Sequence, residues 1–197
     1  MTITARHIRD TLTGYLAAHP DETAALTPVL GLLDAGADIA TRKEFRGHAT
    51  AGAVLVNDLG LVLHVHHRVL GTWLLPGGHL EDTDETLLGA ALRELSEETG
   101  IPAGAVNPMG DGPLHIDVHP IPANDAKSEP EHQHFDFRFL FHTTADIAEL
   151  QMEEVTAATW RPAESLHDQH LRRRLPIGKT KARSRRARPS HSQWPSG

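Results

Sequence analysis

Three glutamates, Glu94, Glu97 and Glu98, stand at i, i+3 and i+4 within the segment TLLGAALRELSEETGI. If residues 86–99 form a helix, these side chains project together from one face. Leu88, Ala91, Leu92 and Leu95 then share a separate apolar stripe. Carboxylates this close repel one another and cost helix stability unless cations sit between them. The chain contains no cysteine, so the ligands on offer here are hard oxygens, which suit Mg²⁺ or Mn²⁺. Such ions accept phosphate oxygens and water in the rest of their shell. Gly77 and Gly78 lie ahead of the helix, where they let backbone approach closely and offer a carbonyl to a metal. Arg93 sits beside the cluster, placed to brace a carboxylate, with Glu85 two turns earlier as the candidate. Glutamate-rich helices are ordinarily solvated faces. Here the glycine loop, Arg93 and a capping Gly100 all fall at fixed offsets, which favours a metal site.

From Gly77 to Ile101 the chain resembles the Nudix box, G-x5-E-x7-R-E-U-x-E-E-x-G-U with U aliphatic. Glu85, Arg93, Glu94, Leu95, Glu97, Glu98, Gly100 and Ile101 match it in register. One position departs: counting back from Glu85, His79 takes the place of the first glycine, so GGHLEDTD reads as carrying a single insertion. The resemblance implies an α/β fold, the Nudix-type α/β/α sandwich with a mixed sheet. It also implies attack of a metal-activated water on a phosphoanhydride, in a nucleoside triphosphate or in a nucleoside diphosphate linked to another moiety. Glu94, Glu97 and Glu98 then match the metal positions, and Gly78 joins the metal set as a glycine that can offer its carbonyl. Glu94, Glu98 and Arg93 make up the catalytic set, Glu94 being the better choice to orient or deprotonate water. A further acid from a late loop completes many such sites, and Glu153 or Glu154 would serve. The same scaffold also carries nucleotide sensors without turnover, which have little need of an intact glutamate set. It carries prenyl diphosphate isomerases too, which use a cysteine absent here.

Two later segments carry further polar chemistry. In LHIDVHPIP, His115, Asp117 and His119 alternate and share a strand face. In HQHFDFRFLF, His132, His134, Asp136 and Arg138 share one face, while Phe135, Phe137, Phe139 and Phe141 form a core face. Three readings of the polar face stand side by side: a hydrogen-bonded network, substrate recognition, or an additional transition-metal site of His and Asp. The substrate set comprises His79, His119, His134, Asp136 and Arg138. His64, His66 and His67 are expected on the surface or in a hairpin.

Elements must position these groups. Residues 5–19 and 22–35 carry apolar residues at helical spacing, so 1–45 is expected to be a helical hairpin ahead of the main domain at 46–170. Strands are expected at 48–56, 61–67, 114–118, 133–142 and 155–160, with a short strand from Trp73 running into Gly77 and Gly78, and helices near 146–151 and 162–174. From 171 to 197 lies a basic tail predicted to be disordered. Nine of the 19 Lys/Arg and none of the 26 Asp/Glu follow residue 170, leaving an acidic body that needs its carboxylates paired or bound to cations. The tail is suited to nucleic-acid phosphates, to folding back on that body, or to solubility alone. No apolar run is long enough for a membrane span and no signal peptide is visible, so a cytoplasmic location is expected; the resemblance implies a small nucleotide-type substrate. Oligomeric state is not legible, a dimer being compatible with the residues.

Overall fold

The structure is a computed structural model that describes residues 2–147 and 155–176. The chain begins with α1 (Ala5–Ala18), a 3₁₀ turn at 20–22 and α2 (Thr27–Asp34). Strands β1 (His48–Asn57), β2 (Leu61–His67), β3 (Thr72–Leu74) and β4 (Gly77–His79) follow, then α3 (Leu87–Thr99). β5 (Val106–Pro108), β6 (His115–Ile121), β7 (His132–Thr143), β8 (Val155–Pro162) and α4 (Gln169–Arg174) complete the fold.

All eight strands join one mixed sheet, with order β3-β2-β1-β7-β5 along its main path. Its centre is the parallel pair β1–β7, in register from His48 opposite His134 to Asn57 opposite Thr143. Each central strand changes neighbour along its outer edge. β1 pairs with β4 through Thr50–Gly52 and with β2 at Val56, while β7 pairs with β6 through His132–Arg138 and with β5 through Phe141–Thr143. The sheet therefore divides at one end, where β4 and β6 flank the paired starts of β1 and β7.

Alternation builds two cores. Phe135, Phe137, Phe139 and Phe141 are buried with Ala49, Ala51, Ala53 and Leu55 against Leu87, Ala90, Ala91 and Leu95 of α3 and Ile8 and Leu12 of α1. On the opposite face Val54, Val56, Val62 and Leu140 meet Leu166, Leu171 and Leu175. Helices thus cover both faces, as a sandwich requires. The N-terminal hairpin shares the larger core and is fastened at the rim, where Tyr15 and Arg174 both bond to Glu22 and Arg174 Nη1 donates to Leu114 O at 2.9 Å. Burial, with the hydrogen bond to Glu22 second, pushes the Tyr15 hydroxyl up to about 12.

Several elements depart from expectation. The helix expected at 162–174 is a 3₁₀ turn at 163–165 followed by α4, because Asp168 caps the backbone N–H groups of His170 and Leu171 at 2.8 and 3.0 Å. β6 extends through Pro120 to Ile121, beyond the end expected at 118. β5, three residues long, is too short to show alternation in sequence. Residues 144–147 are not helical, and the rest of the helix expected near 146–151 lies outside the described residues, as do Glu153, Glu154 and residues 177–197 of the tail. His64 is buried rather than at the surface, its Nδ1 lying 3.1 Å from Val62 O.

Candidate active site

The glutamate helix forms as its spacing predicts. Thr86 caps its start by accepting from Gly89 N at 3.0 Å, and Gly100 ends it at φ 67°, a conformation glycine adopts without a Cβ penalty. Leu87, Ala91 and Leu95 pin one face to the sheet. That contact turns Glu94 and Glu98 inward, where both are buried beneath the strand β4. Glu98 Oε2 accepts from Gly77 N at 3.3 Å. A Cβ on Gly78 would fall 2.5 Å from Glu94 Oε1, so only glycine leaves room for that carboxylate.

Arg93 is the brace, yet its main partner is Asp84. Its Nε and Nη2 grip the Asp84 carboxylate side-on at 3.0 and 2.9 Å. Nη1 reaches Glu97 at 2.9 Å and Glu94 at 3.1 Å, and Nη2 also donates to the carbonyl of His79 at 3.0 Å. These acids, Asp84 first, hold the guanidinium firmly protonated. Asp84 is buried and its Oδ2 also accepts from Glu81 N at 2.8 Å, whereas Glu85 is exposed. The bracing acid therefore stands one position before the expected Glu85. Counted from Asp84, five residues lead back to Gly78, as in the box, and eight lead on to Arg93, one more than in the box.

Glu97 lies toward Arg93 with its side chain 43% exposed. Among the described residues, the sets of three side chains whose ligand atoms converge within 4.8 Å are His48, His79, His134 and His119, His134, Asp136. Among the described residues, Glu94, Glu97 and Glu98 do not form such a set, and Arg93 holds Glu97.

The polar rows of β6 and β7 assemble on the face opposite the phenylalanines. Asp136 accepts from Thr50 and from Arg138 Nη2, the latter at 3.0 Å. Arg138 also meets Asp117 at 3.4 Å and Asp168 at 3.6 Å, so its guanidinium is shared among three carboxylates. His119 Nδ1 is 3.2 Å from Asp117 Oδ2. That contact raises the His119 imidazole above its ordinary range and holds Asp117 below the usual carboxylate range. His115 Nε2 lies 2.9 Å from Asp168 Oδ2, but burial still lowers its pKa. Burial drives His134 further, down to about 3, and also lowers His48. Asp84, Thr50 and His48 were not singled out as site residues by sequence; only for Asp84, through the count from Gly78, did the sequence carry a signal.

The profile of the NUDIX domain matches residues 46–182, more than half of the chain. The chain belongs to the Nudix family. It is 38% identical over 100 residues to the probable DHNTP pyrophosphohydrolase of Lactococcus lactis subsp. cremoris, covering 51% of this chain and 57% of that protein. It is 49% identical over 61 residues to phosphatase NudJ of Escherichia coli strain K12, covering 30% and 39%. The Nudix chain thus spans little more than half the length of one relative and less of the other. It is also similar to the structure of the E. coli dihydroneopterin triphosphate pyrophosphohydrolase, with TM-score 0.49 and 17% identity over 64% of this chain and 91% of that one.

Proposed function

We propose that this Nudix protein is a divalent-cation-dependent hydrolase that cleaves a phosphoanhydride bond. The bond lies in a nucleoside triphosphate or in a nucleoside diphosphate linked to another moiety. The observation that carries the reading is the pair of buried carboxylates, Glu94 and Glu98, set against the glycines of β4. Two buried acids so close to backbone fit a hard cation: every donor is oxygen, and a Cβ at Gly78 would fill the cradle. Glu94, Glu98 and the more exposed Glu97, with the carbonyl of Gly78, are the residues that would hold Mg²⁺ or Mn²⁺. Such an ion, when bound, lowers the pKa of water and neutralises charge growing on phosphoryl oxygens.

The chain's own residues do the rest. Glu94 orients the attacking water or accepts its proton. Asp84 fixes Arg93, and Arg93 holds both the helix acids and the carbonyl of His79, so helix and strand keep one relative position. Arg93 acts here as a positioning residue. The strip of His79, His119, His134, Asp136 and Arg138 borders the glycines and is where the non-reacting part of the substrate would lie. Arg138, committed to three carboxylates, shapes that strip more readily than it grips a phosphate. The relatives' names, a DHNTP pyrophosphohydrolase and a phosphatase, support hydrolysis at a phosphate.

The test is a Mg²⁺-dependent hydrolysis screen over nucleoside triphosphates, dinucleotides and nucleotide sugars, with products identified. Release of phosphate, pyrophosphate or a nucleoside monophosphate from at least one class is expected. Tight binding of a nucleotide with no turnover across the panel would make the protein a sensor instead.

A further inference from the structure

Five histidines gather on the outer face of the sheet at its divided end. Parallel pairing sets His48 beside His134, and antiparallel pairing sets His119 on the other side of His134. His79 lies across from Thr50, one step along β1 from His48 on the same face. The ring centroids of His48 and His134 are 4.8 Å apart, and that of His79 is 5.2 Å from each. One nitrogen from each of these three rings lies within 4.8 Å of the other two. His132 stacks on His48 with centroids 4.9 Å apart.

Histidines in a sheet often do no more than stack and share hydrogen bonds. His48 points past that. It is only 1% exposed, and its Nδ1 lies 3.3 Å from the carbonyl of Glu44. A carbonyl can only accept, so Nδ1 carries the proton and Nε2 presents a lone pair. That Nε2 is buried and has no hydrogen-bond partner, an arrangement native interiors avoid. An imidazole whose remote N–H is fixed by a backbone carbonyl is also how proteins orient a histidine toward a metal. His132 is fixed likewise, its Nδ1 lying 2.7 Å from Pro130 O and its Nε2 3.3 Å from His134 Nε2.

We propose that His48, His79 and His134 bind one borderline divalent transition-metal ion, of which zinc is the type. Neutral imidazoles suit zinc, cobalt or nickel, whereas Mg²⁺ prefers oxygen and belongs with the glutamates. At metal–nitrogen distances of about 2.0–2.1 Å, tetrahedral ligands sit roughly 3.3 Å from one another. The three donors, already within 4.8 Å, close to that spacing by small ring rotations. Three protein ligands leave a coordination position for water or a substrate oxygen. The second converging set, His119 and Asp136 with His134, places further donors on the same face. Because His79 follows Gly78 directly and its carbonyl bonds to Arg93, the ion ties β4 to β1 and β7 next to the hydrolytic loop. The site uses none of the glutamates, so it stands or falls apart from the hydrolase reading.

The test is titration of the tag-free full chain with Co²⁺ and with Zn²⁺ in millimolar Mg²⁺. One equivalent of Co²⁺ is expected to bind with the intense visible absorption of a tetrahedral nitrogen site, and Zn²⁺ to displace it and raise Tm. His48→Gln and His79→Ala each weaken binding at least ~10-fold, while Glu97→Gln binds as wild type does. His79 sits on the short strand at the sheet edge, so its variant serves if His48→Gln fails to fold. The proposal is overturned if no equivalent binds in the presence of Mg²⁺. It is equally overturned if the histidine variants bind as tightly as wild type, or if Glu97→Gln abolishes binding.

Discussion

Asp84 is the residue on which the site's rigidity turns. It is buried, it grips Arg93 with both oxygens, and through Arg93 it governs Glu94, Glu97 and the carbonyl of His79. Removing Asp84 leaves Arg93 with Glu94 and Glu97, but strips the guanidinium Nε and the Glu81 N–H of their buried acceptor, a loss of about 1–3 kcal/mol for each group left unpaired. Asp84→Ala is therefore expected to lower unfolding stability by about 2–3 kcal/mol in urea denaturation and to reduce kcat as well. A variant as stable as wild type would show that Arg93 finds an equivalent partner elsewhere. The sequence shows why Asp84 is easy to miss. Glu85 has the residue type the motif asks for and sits in register from Arg93, while burial, which distinguishes the two acids, is a tertiary property.

At the scale of elements, α3 and β4 form one device, because Gly78 sits directly against the Glu94 carboxylate. In Gly78→Ala the methyl meets the end of a flexible side chain, so Glu94 swings aside at little cost to the fold. The expected result is a loss of ~10–100-fold in metal-supported turnover with Tm nearly unchanged. A matching collapse of Tm would mean that the strand, not the carboxylate, gives way. Both α3 and the phenylalanine face of β7 were legible because their periods, 3.6 and 2, are local properties. The partnership of β1 with β7 was not. His48 and His134 are separated by 86 positions, and nothing in either segment announces a parallel pairing with that register. The histidine cluster, which depends on that register, was visible only as three alternatives. The short β5 and the cap by Asp168, which cuts the last helix to six residues, are likewise decided by tertiary contacts.

For the molecule as a whole, the balance of histidines sets the response to pH. Burial lowers His48, His64, His115 and His134 below the ordinary imidazole range, and Asp117 raises His119. For the four lowered groups the unfolded chain binds protons that the folded chain refuses, so their stability is present above about pH 6.5 and lost below it. His119 acts oppositely: its contribution is full below about pH 6.5 and fades as pH rises through its raised value. Four outweigh one. With chelator present, Tm is expected to fall by roughly 3 °C or more between about pH 7.5 and 5.5, and His64→Phe to reduce that slope. A Tm that rose on acidification would contradict this balance. The N-terminal hairpin, read from sequence as a segment ahead of the domain, shares the main core with α3 and the phenylalanines. No helix among the described residues is long and apolar enough to cross a membrane.

The most direct measurement compares wild type with Glu98→Gln for turnover of the best phosphoanhydride substrate as Mg²⁺ or Mn²⁺ is titrated. The amide keeps the shape, and can still accept from Gly77 N, but removes the charge a hard cation requires. Metal-dependent turnover is expected in wild type, with a loss of at least ~100-fold in the variant at saturating metal, because ion binding carries the chemistry. Wild-type-like rates in Glu98→Gln, or turnover indifferent to chelation, would contradict it.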